Sequence, residues 1–176
     1  MSLANIIKSS EVGSMGMKMG IKNTKSNTAV SFEEAVNSIP DLLGGYCKGL
    51  QAMKADSMRV KPVENKLLSG SVDIDSCTKS KYPDAARWDY AIGYKEKAYF
   101  IEVHPANTSN IKEMLRKADW LKAWLKDNGK ALDKIKNDEN LYWVPTGKVA
   151  IPKTSPQCRS LAKKKLRIEN CPFVLQ

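Results

Sequence analysis

Apolar and polar positions alternate along the segment Arg87–His104, and this alternation predicts a β-hairpin. The segment reads RWDYAIGYKEKAYFIEVH and is rich in the aromatic and β-branched residues that strands favour. The polar cluster YKEK at its centre marks the turn. Because neither Gly nor Asn stands in that turn, the turn residues alone leave the pairing register open.

The register decides which side chains meet. If the loop is either Lys95–Glu96 or Tyr94–Lys97, Asp89 lies opposite Glu102. Side chains alternate across a strand, so Asp89, Glu102 and His104 then share one face. The other face carries the apolar residues Trp88, Tyr90, Ile92, Tyr99, Ile101 and Val103. The alternative is a three-residue loop, which would slip the register by one and separate the two acids onto opposite faces.

Helical periodicity appears on both sides of the hairpin. A first helix begins at Ser31, where the letters SFEE make a capping box, and Pro40 kinks or divides its apolar run. A longer helix begins after Ser109 or Asn110, carries an apolar stripe at helical spacing, and stops at Asn128-Gly129. We expect Trp120 and Trp124 to belong to its core-facing side.

Shorter segments complete the predicted order of elements. Alternation over Gly70–Asp75 predicts a strand that leads into the hairpin. The segments LYWVP and KVAIP predict two short strands, Ser155-Pro156 opens a short basic helix, and LRIEN and FVL predict a closing strand. The order helix, three strands, helix, strand, helix and strand predicts an α/β fold, with a mixed central sheet flanked by helices.

Composition narrows the class of protein. Residues 1–28 carry Gly, Ser and Asn without a steady period and predict a flexible tail, followed by one domain over residues 29–176. The sequence has no apolar run long enough to cross a bilayer and no apolar core of a secretory signal at its start. We therefore expect a cytoplasmic protein without a membrane partner. The four cysteines lack CxxC spacing, which favours neither a zinc knuckle nor a disulfide scaffold.

The charge of the chain points to a polyanionic partner. Lysine and arginine number 29 against 19 acidic residues, for a net charge of +10. The interval 148–167 has seven basic residues and no acid: Lys148, Lys153, Arg159, Lys163, Lys164, Lys165 and Arg167. Such a stretch is either a solvated lysine-rich surface or a contact for the phosphates of nucleic acid. We expect nucleic acid as the partner, DNA rather than RNA.

Two carboxylates on one face of a sheet repel each other unless a positive charge lies between them. A bound divalent cation would reverse the sign of that interaction. Carboxylate oxygens suit Mg²⁺ or Mn²⁺, which take one or two protein carboxylates and keep several waters. Asp89 and Glu102 are therefore candidate metal ligands. Asp75 either adds a further ligand or is an ordinary solvent-facing residue at a strand end.

An acid on one strand, an acid-x-basic triplet on the next and a following amphipathic helix resemble the PD-(D/E)xK nuclease superfamily. The resemblance covers residues 70–126, with Asp89 as the first acid, Glu102 as the second and His104 at the position usually held by lysine. A literal Pro83-Asp84 pair lies in the turn-like stretch KYPDAA and is a decoy. The resemblance implies a restriction-endonuclease-like fold with a single nuclease-like domain over residues 29–176.

The same resemblance implies a set of functional residues. Asp89 and Glu102 would hold the metal ion, and His104 would position the attacking water, act as acid or base, or offset charge on the phosphate. Some superfamily members carry the lysine on the helix after the strands, which makes Lys117 the candidate substitute; the alternative is a surface lysine. The superfamily often adds an acid from the first helix, so Glu33 or Glu34 is a further candidate, although capping by Glu34 explains that residue as well.

Three functions follow from these residues. The first is metal-dependent hydrolysis of phosphodiester bonds in nucleic acid, with catalytic residues Asp89, Glu102, His104 and Lys117. The second is a catalytically inactive nucleic-acid-binding module on the same fold, since His104 replaces the motif lysine. The third is a basic structural or interaction protein whose acids form only surface pairs.

Overall fold

The computed structural model describes residues 30–176, so the predicted tail of residues 1–28 lies outside the described residues. The strands are β1 Tyr46–Cys47, β2 Val60–Pro62, β3 Leu68–Asp73, β4 Tyr90–Tyr94, β5 Lys97–His104, β6 Leu141–Pro145, β7 Leu166–Ile168 and β8 Phe173–Leu175. The α-helices are α1 Phe32–Asn37, α2 Ile74–Thr78, α3 Ile111–Asp127, α4 Lys130–Lys134 and α5 Pro156–Lys163. Short 3₁₀ segments cover Pro40–Leu42, Gln51–Arg59, Asn65–Leu67 and Thr108–Asn110.

Six strands form one mixed sheet in the order β1-β3-β4-β5-β6-β7. The neighbours among β1, β3, β4 and β5 pair antiparallel, whereas β5, β6 and β7 run parallel to one another. Parallel neighbours need a crossover, and α3 with α4 connects β5 to β6 while α5 connects β6 to β7. The predicted α/β architecture with a mixed sheet and flanking helices is confirmed.

The hairpin has the register that brings the two acids together. Ala91 pairs with Phe100 and Gly93 with Ala98, as the even loop requires. Lys95 and Glu96 form the turn in left-handed backbone conformations, with φ of 52° and 56°. Both residues adopt positive φ in the type I′ turn that suits the twist of a two-residue hairpin loop.

The sheet separates two apolar clusters. On one face Phe100 and Ala98 pack with the buried sides of α1, α3, α4 and α5. On the other face Ile92, Tyr99 and Ile101 pack against Phe173 of the small parallel β2-β8 sheet. Trp88 departs from its predicted face: it precedes β4 and is buried in the cluster on the helical side.

The long helix α3 follows its predicted apolar stripe. Met114, Ala118, Leu121 and Leu125 are buried against the sheet. Trp124 is buried as predicted, and Trp120 is partly buried and stacks on it with ring centroids 5.9 Å apart. Across residues 30–176, no helix combines the length and apolarity that crossing a bilayer demands.

The first helix is shorter than its apolar run. Ser31 and Glu34 form the predicted capping box, which explains Glu34 without a metal. The helix ends at Asn37, and Pro40 opens a separate 3₁₀ segment, so Pro40 divides the run as predicted. Ile39 and Leu42 remain in the core, whereas Leu43 is exposed.

Three predicted strands differ in the structure. The strand Gly70–Asp75 ends at Asp73, because the Asp73 carboxylate accepts the Ser76 N–H and caps α2. The segment KVAIP forms only an isolated bridge between Ala150 and Asn107. The FVL segment leaves the main sheet and pairs with β2.

Gly93 permits the close approach of α1 to the sheet. A Cβ at this position would overlap the ring of Phe32. We expect Gly93→Ala to lower the free energy of unfolding by about 1–3 kcal/mol, as overpacking of a core does. Gly147→Ala is the matched control, since a Cβ there has no neighbour within 4 Å. Urea unfolding measures both variants; equal midpoints would contradict the account of this contact.

Candidate active site

The acidic residues lie at the edge of the sheet where β5 ends. Asp89 immediately precedes β4, and Glu102 and His104 are near the end of β5. Because β4 and β5 are antiparallel, the start of one and the end of the other meet at the same edge. The N-terminal half of α3 covers the same face. This edge is also the carboxyl end of the parallel pair β5 and β6, where α/β proteins commonly place ligands.

Two hydrogen bonds lock the acids to each other's strand. The backbone N–H of Asp89 donates to Oε2 of Glu102 at 3.1 Å. In return, the backbone N–H of Val103 donates to Oδ2 of Asp89 at 3.0 Å. Each carboxylate therefore has one oxygen held by backbone. The remaining oxygen of each acid is left for a partner on the side of α3.

That partner is Lys117. Its ammonium donates to Oδ1 of Asp89 at 3.0 Å and to Oε1 of Glu102. The three side chains form a compact cluster of two carboxylates and one ammonium. The helical spacing of α3 brings Lys117 to this point, since Met114 and Ala118 on either side of it are buried against the sheet. The structure thus brings together Asp89, Glu102 and Lys117 from three separate elements.

The cluster lies at the boundary between core and solvent. The Glu102 side chain is 0% exposed, whereas Asp89 retains 20% and Lys117 13% of their side-chain exposure. Burial, together with the negative charge of Asp89, raises the pKa of Glu102 well above its ordinary value, although Lys117 acts in the opposite direction. Burial disfavours the charged ammonium, but the two carboxylates outweigh it and raise the pKa of Lys117.

The ammonium supplies the positive charge that the sequence analysis assigned to a divalent cation. Among the described residues, no group of three or more His, Cys, Asp or Glu side chains has the arrangement of a metal site. Mg²⁺ and Mn²⁺ do not require such a group, because they accept one or two carboxylates and complete their coordination with water and phosphate. Two carboxylates that converge on one point fit that donor set.

His104 lies on the same face as Glu102 but has other partners. Its Nε2 is 3.2 Å from Nδ2 of Asn110 and 3.7 Å from Oε2 of Glu113. A neutral ring with its proton on Nδ1 accepts from Asn110, whereas a protonated Nε2 pairs with Glu113. Asn110, predicted as a helix cap, makes no side-chain cap bond and faces the histidine instead. The sequence pattern placed Asn110 only at the start of the helix, so the contacts of Asn110 and Glu113 with His104 were not predicted.

Asp75 is apart from the cluster. It lies in the first turn of α2, and its Oδ1 accepts from Nε of Arg87 at 2.8 Å. Arg87 also donates to the carbonyls of Tyr82 and Pro83, so this pair orders the loop before β4. Asp75 differs from its predicted place at a strand end because Asp73 caps α2, so the strand stops there and Asp75 lies in the helix. Asp84 is exposed in a turn, as expected for a decoy.

The predicted basic residues lie on the loop after β6, on α5 and in the turn between α5 and β7. Lys148, Lys153, Arg159, Lys163 and Lys165 are exposed. Lys164 is half-buried and pairs with Asp119 of α3 at 2.5 Å, a contact that the sequence does not signal. The loop starts beside the end of the sheet that carries Asp89 and Glu102, which we call the acidic edge, because the Thr146 N–H donates to the His104 carbonyl at 3.3 Å. Basic side chains therefore continue from this edge onto the neighbouring helix.

Comparison of the chain with protein-family models, curated proteins and solved structures finds no match. The resemblance to the PD-(D/E)xK superfamily therefore rests on the spacing of the acids and the order of the elements. Any function assigned to the cluster has to be argued from its own geometry.

Replacement of the ammonium tests the energetic role of the cluster. We expect Lys117→Met to lower the free energy of unfolding by about 3 kcal/mol at neutral pH, because it leaves the buried Glu102 and the partly exposed Asp89 without their counter-charge. Lys126→Met on the exposed side of α3 is the control and should change stability by less than about 0.5 kcal/mol. Chemical unfolding measures both. A Lys117→Met variant as stable as its control would contradict the ion pairs described above.

The raised pKa of Glu102 predicts how stability depends on pH. Above the ordinary value of 4.5, the folded protein keeps this proton while the unfolded chain loses it, so stability falls as the pH rises until Glu102 ionises in the folded protein. Glu102→Gln mimics the protonated side chain and removes this loss. In a buffer with EDTA, its unfolding free energy relative to wild type should rise between pH 5 and pH 8, by at most about 1.4 kcal/mol per pH unit. A difference that stays constant over this range would contradict the assignment.

Proposed function

We propose that this protein hydrolyses phosphodiester bonds of nucleic acid, DNA rather than RNA, with Mg²⁺ or Mn²⁺ as cofactor. The observation that supports the proposal is the convergence of Asp89, Glu102 and Lys117 at the carboxyl edge of the sheet. Two acids and one lysine are the residue types of the motif that the sequence resembles. The lysine comes from α3 and not from β5, in agreement with the substitution that the resemblance suggests for Lys117.

Asp89 and Glu102 are the residues that would hold the metal ion. When bound, Mg²⁺ or Mn²⁺ polarises the scissile phosphate and lowers the pKa of a coordinated water. The reciprocal bonds with the backbone fix the orientation of both carboxylates before any ligand arrives. Such preorganisation is what a catalytic site requires of the residues that support it. Asp75 has no place in this set, because its carboxylate is engaged by Arg87.

Lys117 has two roles in this proposal. Its ammonium makes the two acids compatible. With a metal ion held by Asp89 and Glu102, the same ammonium would be free to offset negative charge that develops on the phosphate. His104 lies two residues beyond Glu102 on the same face and would orient the attacking water or exchange a proton with it. Asn110 holds the neutral ring at Nε2, and Glu113 holds the protonated ring at the same atom, so Nδ1 is left for that purpose in either state.

The basic residues would bind the substrate. Lys148, Lys153, Arg159, Lys163 and Lys165 are exposed on one continuous stretch that starts beside the acidic edge. Each contact between such a side chain and a phosphate releases a counterion, so binding weakens steeply with salt. Lys164 contributes less, because Asp119 already neutralises it.

A second candidate is a nucleic-acid-binding module without catalysis. One observation favours it: Lys117 already supplies the counter-charge of both acids, so the cluster is electrostatically satisfied without a metal ion. The complete burial of Glu102 also means that a metal ion can reach it only after Lys117 moves. This candidate retains the basic surface and its salt-dependent binding but predicts no cleavage.

Cleavage assays with matched variants distinguish the two candidates. With Mn²⁺ or Mg²⁺, the wild type should cut DNA, and Asp89→Asn, Glu102→Gln and Lys117→Met should each reduce the rate by about 100-fold or more, as loss of a catalytic electrostatic group does. Glu64→Gln, an acid-to-amide change at an exposed residue, should leave the rate unchanged. Thermal unfolding of each variant checks that it is folded at the assay temperature.

Two results would overturn the nuclease proposal. DNA binding without cleavage in either metal ion would favour the inactive module. Cleavage that persists in Glu102→Gln would place the chemistry elsewhere. RNA of the same sequence, assayed in parallel, tests the preference for DNA.

A further inference from the structure

A groove lies along the outer edge of the main sheet, between β7 and α5. It has a volume of about 600 Å³, within the usual range of ligand sites of about 300–1,000 Å³. Its floor is apolar and consists mainly of Ile151, Leu161, Leu166 and Ile168. No described strand lies beyond β7 in the sheet, so this side of the strand is open. The proposed catalytic cluster does not use this groove.

The rim of the groove is positively charged. Lys153, Lys165 and Arg167 line it, and Glu169 is its single acid. Arg167 pairs with Glu169 at 3.3 Å, whereas Lys153 and Lys165 form no ion pair with any described residue. Two lysines are therefore available to an anionic ligand. A ligand that fits has to combine negative charge with an apolar surface.

Basic side chains connect the groove to the acidic edge. The loop after β6 is tied to the end of β5 by the bond from Thr146 to His104 and by the Ala150 N–H, which donates to the Ala106 carbonyl at 2.8 Å. The same loop carries Lys148 and then Lys153, which lines the groove. Two strand spacings separate β5 from β7, which is about 10 Å across the sheet. One polyanion can therefore follow this loop from the cluster to the groove.

We propose that the groove holds an unpaired stretch of the nucleic-acid substrate, with a base on the apolar floor and phosphates against Lys153 and Lys165. A continuous duplex stacks its bases inward and presents mainly phosphates, so its base faces cannot contact an apolar floor. Unpaired bases expose their faces and pack between apolar or aromatic side chains. The inference rests on the proposed function for its substrate class, and it narrows that class to nucleic acids with a single-stranded end, flap or overhang.

Binding in EDTA tests the groove separately from cleavage. Fluorescence anisotropy with the full chain compares a labelled DNA single strand, a blunt duplex of the same length and a duplex with an overhang. The single strand and the overhang should bind at least about tenfold more tightly than the blunt duplex. Lys165→Gln should weaken single-strand binding and reduce its salt slope by about one, whereas Lys97→Gln, at the opposite end of β5, should not.

Filling the groove is the sharper experiment. Ala162 is exposed on α5 and lines the groove, so Ala162→Trp blocks it while every basic residue is kept. This variant should weaken single-strand binding about tenfold and change blunt-duplex binding by less than about twofold. Gln157→Trp is the matched control, because it adds the same side chain to an exposed position of α5 outside the groove.

Each result bears on one proposal or the other. Equal binding of single strand and blunt duplex, or an Ala162→Trp variant that binds like Gln157→Trp, overturns the groove proposal even if the wild type cuts DNA. A groove that serves a strand-forming peptide gives this same negative result. A single-strand preference that Ala162→Trp removes, in a protein that never cleaves, supports the groove and overturns the nuclease proposal.

Discussion

The ion cluster of Glu102, Asp89 and Lys117 is the constraint on which the account of this protein depends. It joins β5, the segment before β4 and α3, so it ties the sheet to the longest helix. A fully buried carboxylate is costly unless it is paired and hydrogen-bonded, and Glu102 meets both conditions through Lys117 and the Asp89 N–H. The apolar stripe of α3 packs on the sheet, and that packing places Lys117 where it can pair with both acids.

A contribution to stability explains this ion cluster poorly, and a functional role explains it better. Well-packed apolar residues usually stabilise a core as much as a buried ion pair, so a cluster of three charges at a sheet edge calls for another explanation. Perturbed pKa values that arise from burial and neighbouring charge, as for Glu102 and Lys117, are common at functional sites. The adjoining lysine-rich loop and the groove beside β7 add a surface for a polyanion. These features are the support for the proposal that the site acts on phosphodiesters.

The features that the sequence predicted correctly are those set by the local spacing of apolar residues. Alternation predicted the hairpin but left its register open, and an even loop was the assumption that brought Asp89 and Glu102 together. The start and end of α3 followed from its apolar stripe and from Asn128-Gly129. Local periodicity does not report which elements meet, so the contacts of Lys117 with both acids were accessible only through the resemblance. The pairing of His104 with Asn110 and Glu113 was not anticipated.

The wrong predictions have local physical causes. Asp73 competes for backbone N–H groups as a helix cap, so the alternation of Gly70–Asp75 ends early and Asp75 turns to Arg87. The segment KVAIP has the composition of a strand but lies beyond the end of β6, where it makes only one bridge. In both places tertiary context outweighs a short pattern, which carries little free energy of its own.

The most direct measurement of the central claim is the anomalous scattering of a crystal soaked in Mn²⁺. The account predicts one manganese peak between the carboxylates of Asp89 and Glu102, with the Lys117 ammonium displaced from at least one of them. The account would be contradicted if the soaked crystal showed no manganese peak between the two acids and clear electron density for the whole Lys117 side chain bridging them.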